Sequence, residues 1–153
     1  MALELKVRSN LPKVRKRMGR FFNKFQRIIT IGLERAGLQL KEIILEKTSK
    51  GQKFSGGKFP AYSPQYSELK GKTVVDLQDT NRMLQSIGTK TINKNKVQLY
   101  FRNNNLAKRA YWHHTGQGNL PERPFFDFNN RTEKIIRNTY EKYLKQQIKA
   151  SRI

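Results

Sequence analysis

The chain has 153 residues, with 32 Lys and Arg against 11 Asp and Glu, a formal charge of +21, and no cysteine. That length is one domain's worth of chain with room for a real core, so a single domain over 1–153 is the expectation. The absence of thiols excludes disulfides, cysteine nucleophiles and Cys-based zinc sites, and so large a cationic surplus calls for anionic partners or counterions.

The first residues, Met1 to Arg8, include Glu4 and hold no apolar stretch of signal-peptide length. The longest apolar run, Ile28 to Leu33, is far short of a membrane span, so a soluble protein with no membrane partner is expected. Apolar residues make up 36% of the chain, above the level at which a chain fails to form a core, so a folded domain is expected despite the charge.

Ser9-Asn10-Leu11-Pro12 reads as a helix start: Ser or Asn accepts a hydrogen bond from a first-turn amide, and Pro tolerates a position that needs no donor. Leu11, Val14, Met18, Phe21, Phe25, Ile28, Gly32, Ala36, Leu40 and Ile43 then step by three or four, the spacing of one helical face. A helix from 11 to 47 would span about 55 Å at 1.5 Å per residue, longer than the core of so small a domain. Part of its apolar stripe is therefore expected to meet another subunit. Gly19, Gly32 and Gly37 leave two options open, a break in the helix or a tight crossing with another backbone.

Thr48 to Gly51 closes the helix, and residues 50–72 are crowded with turn residues and aromatics. This segment is expected to be an extended loop that projects, with Phe54, Phe59, Tyr62 and Tyr66 docking onto a partner. Val74 to Leu77 reads as a short extended piece. Asp79 to Ile87 reads as a two-turn helix capped by Asp79 or Thr80, with Met83, Leu84 and Ile87 facing inward. Gly88–Ile92 and Lys96–Arg102 read as a hairpin around Asn93-Lys94-Asn95, with Val97, Leu99 and Phe101 on one face. Asn103 to Leu106 reads as a turn, and an open segment follows through Pro121 to Arg123-Pro124-Phe125-Phe126. A last helix is expected from about Asn130 to Ala150. The fold class is α+β, with the long N-terminal helix and the C-terminal helix packed on a small antiparallel sheet.

Catalytic patterns are weak. His113 and His114 are adjacent and diverge in helix or strand, so they do not form a same-face metal pair. Asp76 and Asp79 are the nearest approach to paired carboxylates, and Gly56-Gly57 lacks the Gly-Lys-Ser/Thr ending of a phosphate loop. No enzyme activity, metal or cofactor is expected. Lys13, Arg15, Lys16, Arg17, Arg20, Lys24 and Arg27, with Phe21, Phe22 and Phe25 interleaved, form a helix face able to meet phosphates in a salt-sensitive way. No helix-turn-helix, zinc-finger or nucleic-acid-binding strand signature accompanies them.

Three segments occur in order: Gly57 to Lys70 with Tyr62, Ser63, Tyr66 and Lys70; Val75 to Ile87 with Leu77, Thr80, Met83, Leu84, Ser86 and Ile87; and His114 to Phe126 with Gly118, Arg123, Pro124 and Phe125. Together they resemble the phage virion morphogenesis family, tail-completion or neck proteins of tailed phages, over about half the chain. Asn81 stands where that family usually has glycine, and asparagine tolerates the same left-handed backbone. The resemblance implies a structural virion protein acting in head-tail joining or tail completion. It further implies a sixfold homo-oligomeric ring between connector or portal-side proteins and the tail tube or its terminator. On that reading Phe54, Phe59, Tyr62, Tyr66, Arg123, Pro124, Phe125 and Phe126 are subunit-interface residues. The protein would sit at the head-tail junction of the virion, after assembly in the bacterial cytoplasm, near genomic DNA. The alternative is a non-catalytic basic accessory protein that coats DNA through its helix.

Overall fold

The apolar spacing of three and four carries a single unbroken helix, α1, from Leu11 to Ser49. It belongs to a computed structural model that describes residues 10–78, 80–127 and 129–151. Pro occupies its first turn as expected, but the Asn10 side chain makes no capping bond, and Ser9 lies outside the described residues. The glycines do not break α1. A Cβ on Gly32 would lie 2.9 Å from two ring carbons of Tyr140 and 3.1 Å from Tyr143, so Gly32 is where the last helix crosses closely. A Cβ on Gly37 would lie 2.9 Å from Val97 in the sheet.

That last helix, α5, runs from Asn130 to Ala150, started by a capping box in which Asn129 and Thr132 satisfy each other's backbone. Its start is tied near the end of α1, because Asn129 Nδ2 donates to the Phe54 carbonyl and Lys47 Nζ donates to the same oxygen. Its middle sits against Gly32, so α5 runs antiparallel along α1, and Arg35 stacks over the Tyr143 ring at 4.5 Å. The C-terminal helix thus packs chiefly on α1, which in turn carries the sheet.

The sheet is one hairpin of β1 (Ile87–Asn93) and β2 (Lys96–Phe101), with Ile87 opposite Phe101 and Thr91 opposite Val97. A register shift between Thr91 and Asn93 narrows the turn to Lys94-Asn95. Two strands alone are marginal in water. This pair gains its support from α1, through Val97 and Thr89 against Gly37 and a 2.6 Å hydrogen bond from Thr91 Oγ1 to Glu34.

Three further helices lie among the described residues: α2 (Pro64–Lys70), α3 (Arg82–Gln85) and α4 (Asn104–Thr115). Ser63 caps α2 and Asn103 caps α4. The expected two-turn helix before β1 is a single turn, and it begins after Asn81 in the left-handed region (φ 58°) rather than after Thr80. Asp79, the other expected cap, lies outside the described residues. Met83, Leu84 and Ile87 do face inward, joining Ile44, Phe54, Val75 and Phe125 in the core.

The segment 50–72 is anchored rather than projecting along its length. The Phe59 amide donates to the Gly51 carbonyl at 2.8 Å and the Lys53 amide to Gly57 at 2.9 Å, closing a hook. The hook inserts Phe54, which is 0% exposed, and Phe59, also buried, into the molecule's own core. The tip of the hook at 55–58 is exposed, and α2 stands out furthest, with Leu69 at 84% exposure.

The two kinds of helical glycine separate by substitution. Gly32→Ala gains about 1 kcal/mol of helix propensity but must displace Tyr140, at about 1–3 kcal/mol. A net loss of about 1 kcal/mol in urea unfolding is expected. Gly19 has nothing within 4 Å of its Cβ position, so Gly19→Ala should strengthen its turn by about 0.5–1 kcal/mol, read as slower local amide exchange. Equal behaviour of the two variants would contradict the close crossing.

Candidate functional site

Two features stand apart from ordinary packing: a bare helical arm and a cavity around a buried arginine. Every described position from Asn10 through Lys24 is exposed, because antiparallel α5 ends before it can cover them. About 20 Å of α1 therefore extends beyond the body. Val14, Met18 and Phe21 lie on the stripe that runs into buried Ile28 and the Gly32 crossing. Phe21 stacks on Phe25 with ring centres 6.1 Å apart and meets Phe22 edge-on at 5.8 Å.

The arm also carries Lys13, Arg15, Lys16, Arg17, Arg20 and Lys24, all exposed, with Arg27 exposed at its base. No acidic residue occurs between Leu11 and Leu33. Lys13 with Arg17, Lys16 with Arg20, and Arg20 with Lys24 are like charges one turn apart, each unfavourable by about 0.2–0.5 kcal/mol. Cations in the first turn also oppose the positive end of the helix dipole. An anionic surface laid along the arm would relieve both penalties.

The cavity lies between α2, α4 and the segment before Arg123, with a volume of about 360 Å³. Arg123 is only 3% exposed. Its Nε and Nη2 donate to the Pro60 and Ala61 carbonyls at 3.3 Å, and its guanidinium lies 5.1 Å from the centre of the Tyr62 ring. No carboxylate among the described residues pairs with it. Burial pushes the guanidinium down from the ordinary arginine range. It remains a cation even so.

Beside it, Lys70 Nζ donates to Asp76 and to the Tyr62 hydroxyl, and sits 4.7 Å from the Tyr62 ring centre. Lys70 and Asp76 neutralise each other, so the buried net charge at the cavity is that of Arg123. His113 lines the same cavity, and its Nδ1 is buried without a partner among the described residues. Burial, then the Arg123 and Arg109 charges, hold its pKa below the usual histidine value, so the ring is neutral. Leu77, also on the wall, holds a φ of 52°, a conformation that a bulky L residue adopts only under constraint.

The expected interface residues divide. Phe54, Phe59 and Phe125 are core side chains, which corrects their reading as partner-facing anchors. The physical reason is the backbone: the Phe54 amide donates to the Pro124 carbonyl, which ties the hook to the stretch 123–125, and Phe54, Arg123 and Phe125 are the buried positions at that junction. Arg123 is likewise turned inward, holding the segment at 60–61 rather than a neighbour. Pro124 and Phe126 are half-buried, Phe126 lying 5.5 Å from Phe101. Tyr62 and Tyr66 meet edge-on at 4.9 Å and line the cavity. His113 and His114 diverge as their adjacency requires, His114 packing on Phe125.

The sequence reading missed Lys70 as a cavity residue, His113 in this role, and exposed Tyr111 and Trp112 on α4. Among the described residues no three His, Asp or Glu side chains converge into a metal-holding group, and no helix is long and apolar enough to cross a membrane. Compared with protein-family models, curated proteins and solved structures, the chain matches none.

Proposed function

We propose that this chain is a structural subunit of a tailed-phage virion, acting in head-tail joining or tail completion as part of a neck ring, without enzymatic activity. Its partners on this reading are further copies of itself, connector or portal-side proteins, and tail-tube or tail-terminator proteins. Its place is the head-tail junction, reached after assembly in the host cytoplasm. The observation that carries the reading is the arm: a helix that leaves its own body with an apolar stripe still exposed is built to be completed by a neighbour. The three motifs resembling the phage virion morphogenesis family supply the setting.

Light scattering after size exclusion in high salt tests it, since salt weakens charge contacts and nucleic-acid carry-over while leaving apolar contacts. The expected result is a closed oligomer. The triple variant Val14→Ser, Met18→Ser, Phe21→Ser should fall to a monomer whose circular dichroism matches that of the parent, because these side chains are exposed and hold no part of the chain's own core. A parent that is monomeric alone and with its neighbours present, or a triple variant that still assembles, would defeat the reading.

A second reading, a DNA-coating accessory protein, is favoured by the exposed cations on the same arm, among which no acidic residue occurs. It requires a steep fall of DNA affinity with salt, carried by Lys13 to Arg27 and indifferent to the apolar triple variant.

A further inference from the structure

An uncompensated buried cation is costly, and proteins ordinarily neutralise it with a paired carboxylate or a bound anion. Arg123 has neither among the described residues: its Nε and Nη2 hold the Pro60 and Ala61 carbonyls, and no described carboxylate pairs with it. Next to it are the unpartnered buried Nδ1 of His113 and a cavity whose other walls include Tyr62, Tyr66, Leu120 and Pro121. We propose that this cavity is a binding site for a carboxylate carried on an apolar body, its charge received by Arg123 and its body by the Tyr62, Tyr66 and Leu120 walls.

The chemistry selects the ligand class in two steps. The net local charge is a single positive one, because Lys70 is already matched by Asp76. A dianionic phosphate would bring a second negative charge close to the Asp76 carboxylate, whereas a carboxylate balances the site. The planar guanidinium also suits a planar carboxylate. The largely apolar walls then exclude small hydrophilic acids, since such ligands would leave Tyr66 and Leu120 facing water, and a volume of about 360 Å³ admits an aryl or branched aliphatic body.

Such a carboxylate reaches the cavity either as a free small acid or as the C-terminus of a protein segment, and the test separates these sources. The full chain is titrated with 4-phenylbutyrate and its amide, and with acetyl-Ala-Ala-Phe bearing a free or an amidated C-terminus, while the His113 ring and Leu120 methyl signals are followed by NMR. At least one acid should saturate both signals, with its amide about tenfold weaker or worse. The tighter acid identifies the source. Arg123→Gln should abolish the preference for acid over amide. Because Arg123 also holds residues 60–61, Leu120→Trp provides a second variant at a half-exposed wall position, and it should block both acids while leaving the unfolding midpoint unchanged. Acid and amide binding alike, no acid binding up to about 10 mM to the folded chain, or undiminished binding by Leu120→Trp would each overturn the proposal.

Discussion

Replacing Phe54 by alanine should destabilise the chain by about 3–5 kcal/mol, a large part of the roughly 5–15 kcal/mol that holds a domain of this size. The side chain is fully buried, and its backbone is the point at which three segments meet. The Phe54 amide donates to Pro124, and its carbonyl accepts from Lys47 Nζ at 2.6 Å and from Asn129 Nδ2 at 3.2 Å. Lys47 also lies 4.9 Å from the Phe54 ring centre, so removal of the ring strips a cation of its aromatic neighbour as well as opening a cavity. Tyr66→Ser, in the same stretch of chain, should cost only about 1 kcal/mol, since Tyr66 is 38% exposed and loses chiefly its contact with Tyr62. Urea unfolding of the two variants decides between a core and a docking role. If Phe54→Ala left the midpoint near that of the parent while disrupting assembly, the hook would be a partner-facing element after all.

The contrast between Phe54 and Tyr66 also marks where the sequence was legible. α1 and α5 are long, and their apolar positions repeat every three or four residues, so local periodicity alone identified the two helices. The hairpin was readable because Val97, Leu99 and Phe101 alternate with polar residues, whereas the left-handed backbone of Asn81 was expected only through the family resemblance, in which glycine usually holds that position. α2 and α4 escaped notice although their signals were present: Ser63-Pro64 is a cap followed by a first-turn proline, and Asn103 with Gly116 brackets α4. Their stripes are short and built from Ala, Tyr and His rather than from large aliphatics, so hydrophobic spacing gave little help. The inward turn of Arg123 and Phe125 follows from the two-residue alternation of extended chain, which sets Arg123 and Phe125 on one side and Pro124 and Phe126 on the other.

The cavity was not legible at all. Tyr62, Lys70, Leu77, His113, Leu120 and Arg123 come from four separated stretches, and only the crossing of α2, α4 and the segment before α5 brings them together. The arm occupies a middle position. Its composition and stripe were visible, but that it stands bare depends on where antiparallel α5 stops, which no local pattern specifies. Both features locate interaction capacity at places where the molecule's own packing is incomplete: an apolar stripe without cover, and a buried cation without its anion.

Removal of the Asp76 carboxylate should be the second severe change, at about 3–5 kcal/mol for Asp76→Asn near neutral pH, because it leaves Lys70 buried and unpaired. The side chains of Asp76 and Lys70 are 7% and 11% exposed, and Asp76 also accepts from the Gln78 amide at 3.0 Å and from Lys72 at 3.5 Å. Burial by itself would raise the Asp76 pKa. The hydrogen bonds from Lys70 and Gln78 and the charges of Lys70 and Lys72 outweigh it and hold the carboxyl below its usual value. A carboxyl depressed in the folded state contributes stability above its unfolded pKa of about 3.9, and that contribution is lost as pH falls through the folded value. Lys70 shifts in the complementary sense. Burial lowers its pKa, but the hydrogen bonds to Asp76 and Tyr62 and the charge of Asp76 raise it overall, so its contribution persists until pH rises beyond about 10.4. Between those limits the pair is intact, and stability should be flat with respect to these two groups. Below about pH 4 the parent should lose stability faster than Asp76→Asn, so the two unfolding curves converge in acid. The double variant Asp76→Asn, Lys70→Met should recover part of the loss at neutral pH, since it removes the stranded cation and leaves an apolar chain of similar length against Tyr62. Parallel pH profiles for parent and single variant, or a double variant no better than the single one, would show that the stability resides in the packing of α2 rather than in the ion pair.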